Sequence, residues 1–320
     1  MSVVRWGLIG VGDIVRKRVG PALRDLSNCE LVSVSRSNAD LAEAFAKDFG
    51  ASKWFADYRG QIADPDIDAV YIATPVFLHA EQTIAAAEAG KHVLCEKPMA
   101  LNVAECDRMI AACEANNVKL GIAYYRRFYP AVIRAKEIIA SGEIGDVSIA
   151  QVNAFEYVDL DANDPRHWFV EKAKSGGGPM IDFGCHRLEV LTNLFGRVGR
   201  VESLVSTARF NRDVEDTAIA SLQFENGTCG TVTVTHASRE PQDTLHIFGM
   251  KGSIHVPVLN EGQMTVNIGD EVQHEALPPD ANFHAPLISD FADAVLHDRE
   301  PAITGEAGRD VQSLIEEIYK

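Results

Sequence analysis

The sequence is poor in positive charge. Thirty lysines and arginines stand against 46 aspartates and glutamates, a formal net charge of -16, and no basic run is longer than Arg16-Lys17-Arg18. A nucleic acid or an anionic membrane surface wants a basic patch, so neither is expected as a partner. Cysteine is also sparse. The six copies, Cys29, Cys95, Cys106, Cys113, Cys185 and Cys229, form no CxxC pair and no Cys/His cluster at zinc spacing, so no metal is expected. They read as reduced packing residues of a cytoplasmic protein. Long apolar runs are missing as well: nothing approaches the roughly 18 residues of a membrane span, and no charged-then-apolar leader precedes Trp6-Gly7-Leu8-Ile9. What remains is ordinary globular composition, 46% apolar and 24% charged, over 320 residues. That length exceeds the usual size of one core, so two domains are expected.

The first of them reads as a dinucleotide-binding sheet. Val3 to Ile9 is a β-rich apolar run that passes into Gly10-Val11-Gly12-Asp13-Ile14-Val15 and then a helical pattern. In that setting Gly10 allows a tight turn, Gly12 lets the backbone approach a pyrophosphate, and the amides at Asp13 and Ile14 face its charge. A plain strand-to-helix turn would read the same way, and Val15 stands where the fingerprint wants Gly or Ala, which implies looser helix packing. The next strand, Leu31 to Val34, ends in Ser35-Arg36-Ser37-Asn38. An NAD enzyme usually has a carboxylate there for the ribose hydroxyls. A guanidinium flanked by hydroxyls suits a 2′-phosphate instead, so NADP(H) is favoured over NAD(H); the plainer reading has Arg36 stack on the adenine, which serves either cofactor. Further strands, at Lys53 to Phe55, Asp66 to Ala73 before Thr74-Pro75, His92 to Pro98 and Lys119 to Tyr124, alternate with helices at 41–49, 79–90 and 102–116. Six alternating strands imply an α/β, doubly wound Rossmann domain over residues 1–124.

Residues 125–320 follow a different grammar. After a helix at 130–140, long β-rich runs dominate: Val147 to Tyr157, Arg200 to Phe210, Thr217 to Phe224, Thr228 to Thr235, Thr244 to Phe248, Gly252 to Val256 and Met264 to Ile268. Turn signals recur between them, so an α+β domain with a large, mostly antiparallel sheet is expected, closed by helices at 284–297 and 305–319. Such a sheet often leaves one face for a partner, which suggests a homodimer or homotetramer.

Two stretches carry chemistry. In His92-Val93-Leu94-Cys95-Glu96-Lys97-Pro98 a buried strand delivers two opposite charges into a proline. The residue before proline is pushed out of the helical region, so Lys97 belongs in an extended kink at the carboxyl edge of the sheet, where ligands bind; a solvated loop lysine is the plainer reading. Farther on, Ser175-Gly176-Gly177-Gly178 opens a helix on which Asp182 and His186 stand four apart. That spacing places both on one face, and a carboxylate on one ring nitrogen prepares the other as a general base. A dipole-favoured acid and a solvent-facing histidine are the alternative.

Together these stretches resemble the Gfo/Idh/MocA family of glucose-fructose oxidoreductases and inositol dehydrogenases. The likeness rests on Gly10-Val11-Gly12, on Thr74-Pro75 with His79 downstream, on Ala89 through Pro98, on Arg127-Phe128, and on the glycine run followed by Asp182 and His186. It implies that Lys97, Asp182 and His186 meet beside the nicotinamide, with His186 exchanging the proton of a reacting hydroxyl, Lys97 polarising the oxygen as a fixed positive charge, and Asp182 orienting the imidazole. Thr74, Pro75, His79, Glu96 and Lys97 then belong with Ser35, Arg36 and Ser37 in the cofactor site. A sugar, cyclitol or related polyol is the substrate the resemblance suggests, lined by Arg126, Tyr157, His167 and Trp168, whose aromatic faces and donors suit a polyol. Three other roles occur or are conceivable among such proteins: dihydrodiol dehydrogenase, glycosidase with a retained NAD and no net redox change, and non-catalytic NADP-binding regulator.

Overall fold

A computed structural model describes residues 2–320. It divides into two compact units, 1–125 with 281–312, and 126–280 with 313–320. The sequence expectation for the first domain is 1–124, and the first unit's opening segment ends at Tyr125. The segment 281–312, expected with the second domain, groups with the first.

The first unit holds six parallel strands, β1 (Val4–Ile9), β2 (Cys29–Ser35), β3 (Lys53–Phe55), β4 (Ala69–Ile72), β5 (His92–Cys95) and β6 (Leu120–Ile122), in the order β3-β2-β1-β4-β5-β6. That is the doubly wound order, in which the winding reverses between β1 and β4 and ligands bind past the carboxyl ends of those strands. β4 is buried at every position, as a strand covered on both faces must be. Helices α1 (Gly20–Asp25), α2 (Ala39–Phe49), α3 (Tyr58–Ile62), α4 (His79–Glu88) and α5 (Val103–Ala115) make the crossovers. Asn38 and Asn102 cap α2 and α5, their side chains accepting from Leu41 N and Glu105 N. The Val15 departure has a structural counterpart: Val15 is fully buried and opens a π turn, Val15–Val19, ahead of α1. A wider turn makes room for a side chain where the fingerprint has none.

The second unit is built on an eight-stranded sheet: β7 (Val147–Tyr157), β8 (Val198–Ser206), β9 (Thr217–Phe224), β10 (Cys229–Thr235), β11 (Ala237–Gly249), β12 (Gly252–Val256), β13 (Gln263–Ile268) and β14 (Glu271–Ala276), ordered β14-β13-β12-β11-β7-β10-β9-β8. Six of the neighbouring pairs are antiparallel, and β7 with β10 is parallel. Strict alternation shows which face is covered: Ala218, Ala220, Leu222 and Phe224 of β9 are buried, and the residues between them are exposed. Helices α6 (Pro130–Ser141), α7 (Lys172–Ser175) and α8 (Cys185–Phe195) belong to this unit.

The last two helices are α9 (Ala285–Leu296) and α10 (Gly305–Ile318). Phe291 of α9 lies 5.7 Å from the ring of Trp6, and a Cβ at Gly121 would come within 2.7 Å of it. Burying such a ring contributes about 2 to 3 kcal/mol, which explains why this helix returns to the first sheet. Among the described residues no helix is long and apolar enough to cross a membrane.

Candidate active site

Each unit holds a set of polar residues of its own. In the first, β1 ends in Gly10 at φ +90°, a backbone angle only glycine adopts freely, and a Cβ there would press within 2.8 Å of Ala73 O. At Gly12 no protein atom lies within 4 Å of an added Cβ. Protein packing therefore does not demand glycine at 12, whereas a pyrophosphate lying against the backbone would. Asp13 pairs with Lys17 at 2.7 Å, and both are exposed, as is Ile14. At the end of β2, Ser35 is only 2% exposed, so its hydroxyl is withdrawn from a ligand. Arg36 is the polar group that reaches the glycine loop: its Nη1 donates to Val11 O at 3.1 Å. Ser37 stays exposed beside it.

His79, expected at the cofactor, is 1% exposed, with Nε2 2.8 Å from Thr74 O and Nδ1 3.0 Å from Pro98 O. Both ring nitrogens face protein carbonyls, so the residue fastens the loop after β4 to the loop after β5 rather than meeting a ligand. Burial pushes its pKa down, against the pull of the two carbonyls. Thr74 Oγ1 donates to Gln82 at 2.6 Å, just before Pro75.

Glu96 is likewise internal. Its Oε1 accepts from Tyr71 OH at 2.8 Å and lies 3.3 Å from His284 Nε2, and its Oε2 accepts from the backbone N–H of Lys97 at 3.1 Å. Burial alone would raise its pKa. His284, Lys97 and Tyr71 prevail and hold the carboxyl below the usual range. The ring of Tyr125 lies 4.6 Å from His284 and completes the packing. Glu96 thus fixes the backbone from which the half-buried Lys97 projects, and its expected place against the cofactor is corrected to this supporting one. Tyr71 and His284 were not picked out from the sequence.

In the second unit the glycine run leads into a helix that begins as a π turn, Met180–Gly184, and continues as α8. Asp182 lies in the π turn and His186 in the second position of α8, so the spacing read as one α turn is a wider one, of a kind frequent at functional sites. His186 is buried, which rules out the solvent-facing reading. The helix start is held by Glu215, which accepts from Gly178 N at 2.7 Å, Met180 N at 3.0 Å and Tyr319 OH at 2.7 Å. A carboxylate satisfies the otherwise orphaned N–H groups of a helix N-terminus and matches its dipole. The fit leaves no room for a side chain, because a Cβ at Gly178 would overlap Glu215 O. Gly178→Ala is expected to cost about 3 kcal/mol of stability, read as a lower denaturation midpoint in urea; an unchanged midpoint would contradict this packing.

Two ion pairs grip the same helix. Arg127 reaches Glu189 at 2.6 Å, and burial pushes the Glu189 carboxyl up to about 6 despite that guanidinium. Asp243 accepts from Arg187 at 2.5 Å and from Arg126 at 3.2 Å. Burial opposes the charge on Asp243, but the two arginines hold its pKa below the ordinary range. Arg126, expected at a substrate, is 4% exposed and belongs to this internal cluster. Asp182 Oδ2 lies 3.4 Å from Nε2 of His236, a histidine outside every motif in the sequence. Tyr157 is exposed, edge-on to Phe210 and under the Arg239 guanidinium at 4.0 Å. His167 and Trp168 share a short turn, with Nδ1 of His167 3.3 Å from Leu160 O and Trp168 stacked on Phe169 at 4.1 Å. Among the described residues no cluster of side chains could hold a metal ion.

Comparison with known proteins points the same way. Residues 4–124 match the model of an oxidoreductase family with an NAD-binding Rossmann fold, and residues 132–255 match the C-terminal domain of the same family. A 1,5-anhydro-D-fructose reductase of Ensifer adhaerens is 31% identical, covering 95% of this chain and 92% of its own length. An aldose-aldose oxidoreductase from Caulobacter crescentus, solved with glycerol, superposes with a TM-score of 0.91 at 27% identity, over 99% of this chain and 96% of that one. A levoglucosan dehydrogenase solved with NADH and levoglucosan gives 0.87 at 27% identity, over the same shares. The chain belongs to the Gfo/Idh/MocA family of oxidoreductases with an NAD-binding Rossmann fold.

Proposed function

We propose that this protein moves a hydride between a nicotinamide dinucleotide, NADP(H) in preference to NAD(H), and a secondary alcohol or carbonyl carbon of a sugar, cyclitol or related polyol. The observation that carries the reading is the carboxyl edge of the first sheet. Gly10 in its left-handed turn, Gly12 open to a ligand backbone contact, and Lys97 at the end of β5 all stand where a doubly wound sheet binds a dinucleotide. The amides at Asp13 and Ile14 hold the pyrophosphate, and Arg36 and Ser37 take the ribose end. When bound, the nicotinamide supplies or accepts the hydride. The remaining chemistry falls to this chain: Lys97 polarises the reacting oxygen, and His186, backed by Asp182, takes or returns its proton. Tyr157, His167 and Trp168 face the polyol. The sugar-directed relatives support the substrate class.

Preference for NADP(H) rests on Arg36. No carboxylate ends β2, Asn38 is engaged in capping α2, and the Arg36 guanidinium already lies over the glycine loop. Arg36→Ala is expected to weaken NADPH about tenfold or more while leaving NADH within a few-fold, measured by titration of each cofactor. Equal losses for both would remove the phosphate contact. The uncovered face of the second sheet, where Leu204 is 66% exposed, is the surface we assign to self-association into a homodimer or homotetramer. The test of the function is a coupled absorbance screen of sugars, cyclitols and dihydrodiols with both cofactors. Polyol-dependent cofactor turnover supports the reading, and none across the panel contradicts it.

A further inference from the structure

We propose that His236 is a positioning residue for Asp182, presenting an N–H to its carboxylate and keeping it ionised; this rests on the reading in which Asp182 backs His186. His236 is fully buried, between β10 and β11, with its backbone fixed at both ends: its N–H donates to Asp216 O at 2.8 Å, and its C=O accepts from Val158 N at 2.9 Å. The side chain is fixed as well. Arg212 Nη2 lies 3.1 Å from Nδ1, and a guanidinium has donors only, so Nδ1 accepts and the ring's proton sits on Nε2. Nε2 is the atom 3.4 Å from Asp182 Oδ2. Arg212 is itself anchored, donating to Val158 O at 3.0 Å and to Glu215 O at 3.2 Å. Arg212 thus leaves the ring proton on Nε2, a buried atom with no hydrogen-bond partner among the described residues, whose nearest carboxylate is Asp182, at ion-pair distance.

The other groups around the ring fit this role. The Phe183 ring meets it edge-on at 5.2 Å and excludes water from that side. Charged groups face it from three elements: Asp182 from the π turn, Arg212 from the loop before β9, and Glu156 from β7. The carboxylate of neighbouring Asp216 is turned away, to the amides of Arg209 and Phe210. Glu156 on β7 is exposed, and its pKa is raised by partial desolvation and by the nearby Asp182, so two carboxyls share this region and a donor near Asp182 favours its charged form.

The test compares His236→Leu, which keeps bulk and removes the donor, with His236→Gln, which keeps a nitrogen donor. Two readouts are taken on the intact protein: the pH profile of kcat, and titration of the Asp182 carboxyl by carbon NMR, assigned with Asp182→Asn. His236→Leu is expected to lower kcat about 10- to 100-fold and to move the acidic limb and the Asp182 titration upward in pH, with cofactor affinity unchanged. His236→Gln is expected to restore most of each. If the leucine variant does not fold, His236→Asn, whose amide falls short of Asp182, takes its place with the same expectations. An Asp182 titration that stays at its wild-type position in the donor-less variant overturns the proposal, as does a wild-type pH profile in an enzyme that His186→Ala inactivates. Should His186→Ala leave activity intact, the reading in which Asp182 backs a catalytic His186 falls, and the NMR titration still decides whether His236 governs Asp182.

Discussion

Lys97→Met is expected to lower turnover by about 10²- to 10³-fold, the worth of one preorganised charge aimed at a developing oxyanion, while the dissociation constant of the nicotinamide cofactor stays nearly unchanged. Methionine keeps the length and apolar stem of lysine and removes only its charge. The backbone that presents residue 97 does not depend on that charge, because it is held from below by Glu96, which Tyr71 and His284 grip in turn. Steady-state kinetics together with a fluorescence titration of the reduced cofactor separates the two effects. Substantial residual activity in Lys97→Met would take the lysine out of the mechanism, and a large loss of cofactor affinity would make it a binding residue instead.

His186→Ala comes next, with an expected fall in kcat of about two to four decades, the usual contribution of a positioned acid or base. The helix that carries it should survive. Glu215 holds its first amides, and Arg127 and Arg187 hold its flank through Glu189 and Asp243, none of which involves the imidazole. Far-UV circular dichroism and the thermal midpoint should therefore stay near wild type while the rate collapses. A rate within tenfold of wild type in a folded variant would assign the proton to another group.

The architecture could be read from the sequence wherever a local period decides it. Buried parallel strands such as β4 and β5 appear as short apolar runs, and β7, β9 and β12 begin and end where alternation does. Pairings between distant segments left no such mark. The parallel match of β10 with β7, the exposed β14 at the sheet edge and the return of α9 to Trp6 and Gly121 all depend on which apolar face meets which, and periodicity does not encode that. Lys97, Asp182 and His186, the residues proposed for the chemistry, can be singled out in the sequence because they stand in short, unusual strings. Their supports were not, since Glu215 lies 37 residues from Gly178 and His284 is far along the chain from Glu96. A weak signal did exist. His236 is in phase with the buried Val232 and Val234, and Asp243 with Leu245 and Ile247, so both are polar groups placed on the covered face of a sheet. A buried polar side chain needs a partner, and here the partners are Arg212 for His236 and the arginines Arg126 and Arg187 for Asp243. Conversely, Ser35, His79, Glu96 and Arg126 sit next to positions expected to bind ligand and yet are buried, because a loop at a sheet edge needs fasteners as much as contacts.

The most direct test follows a single deuterium. The protein is incubated with reduced cofactor carrying deuterium at both positions of nicotinamide C4 and a ketone form of a sugar or polyol that turns over in the screen, and the product alcohol is analysed by mass spectrometry and NMR. One deuterium on the new carbinol carbon, formed by the wild type and nearly absent with Lys97→Met and His186→Ala, is the predicted result. Product that carries no label, or labelled product formed at the wild-type rate by both variants, would contradict hydride transfer assisted by these two side chains.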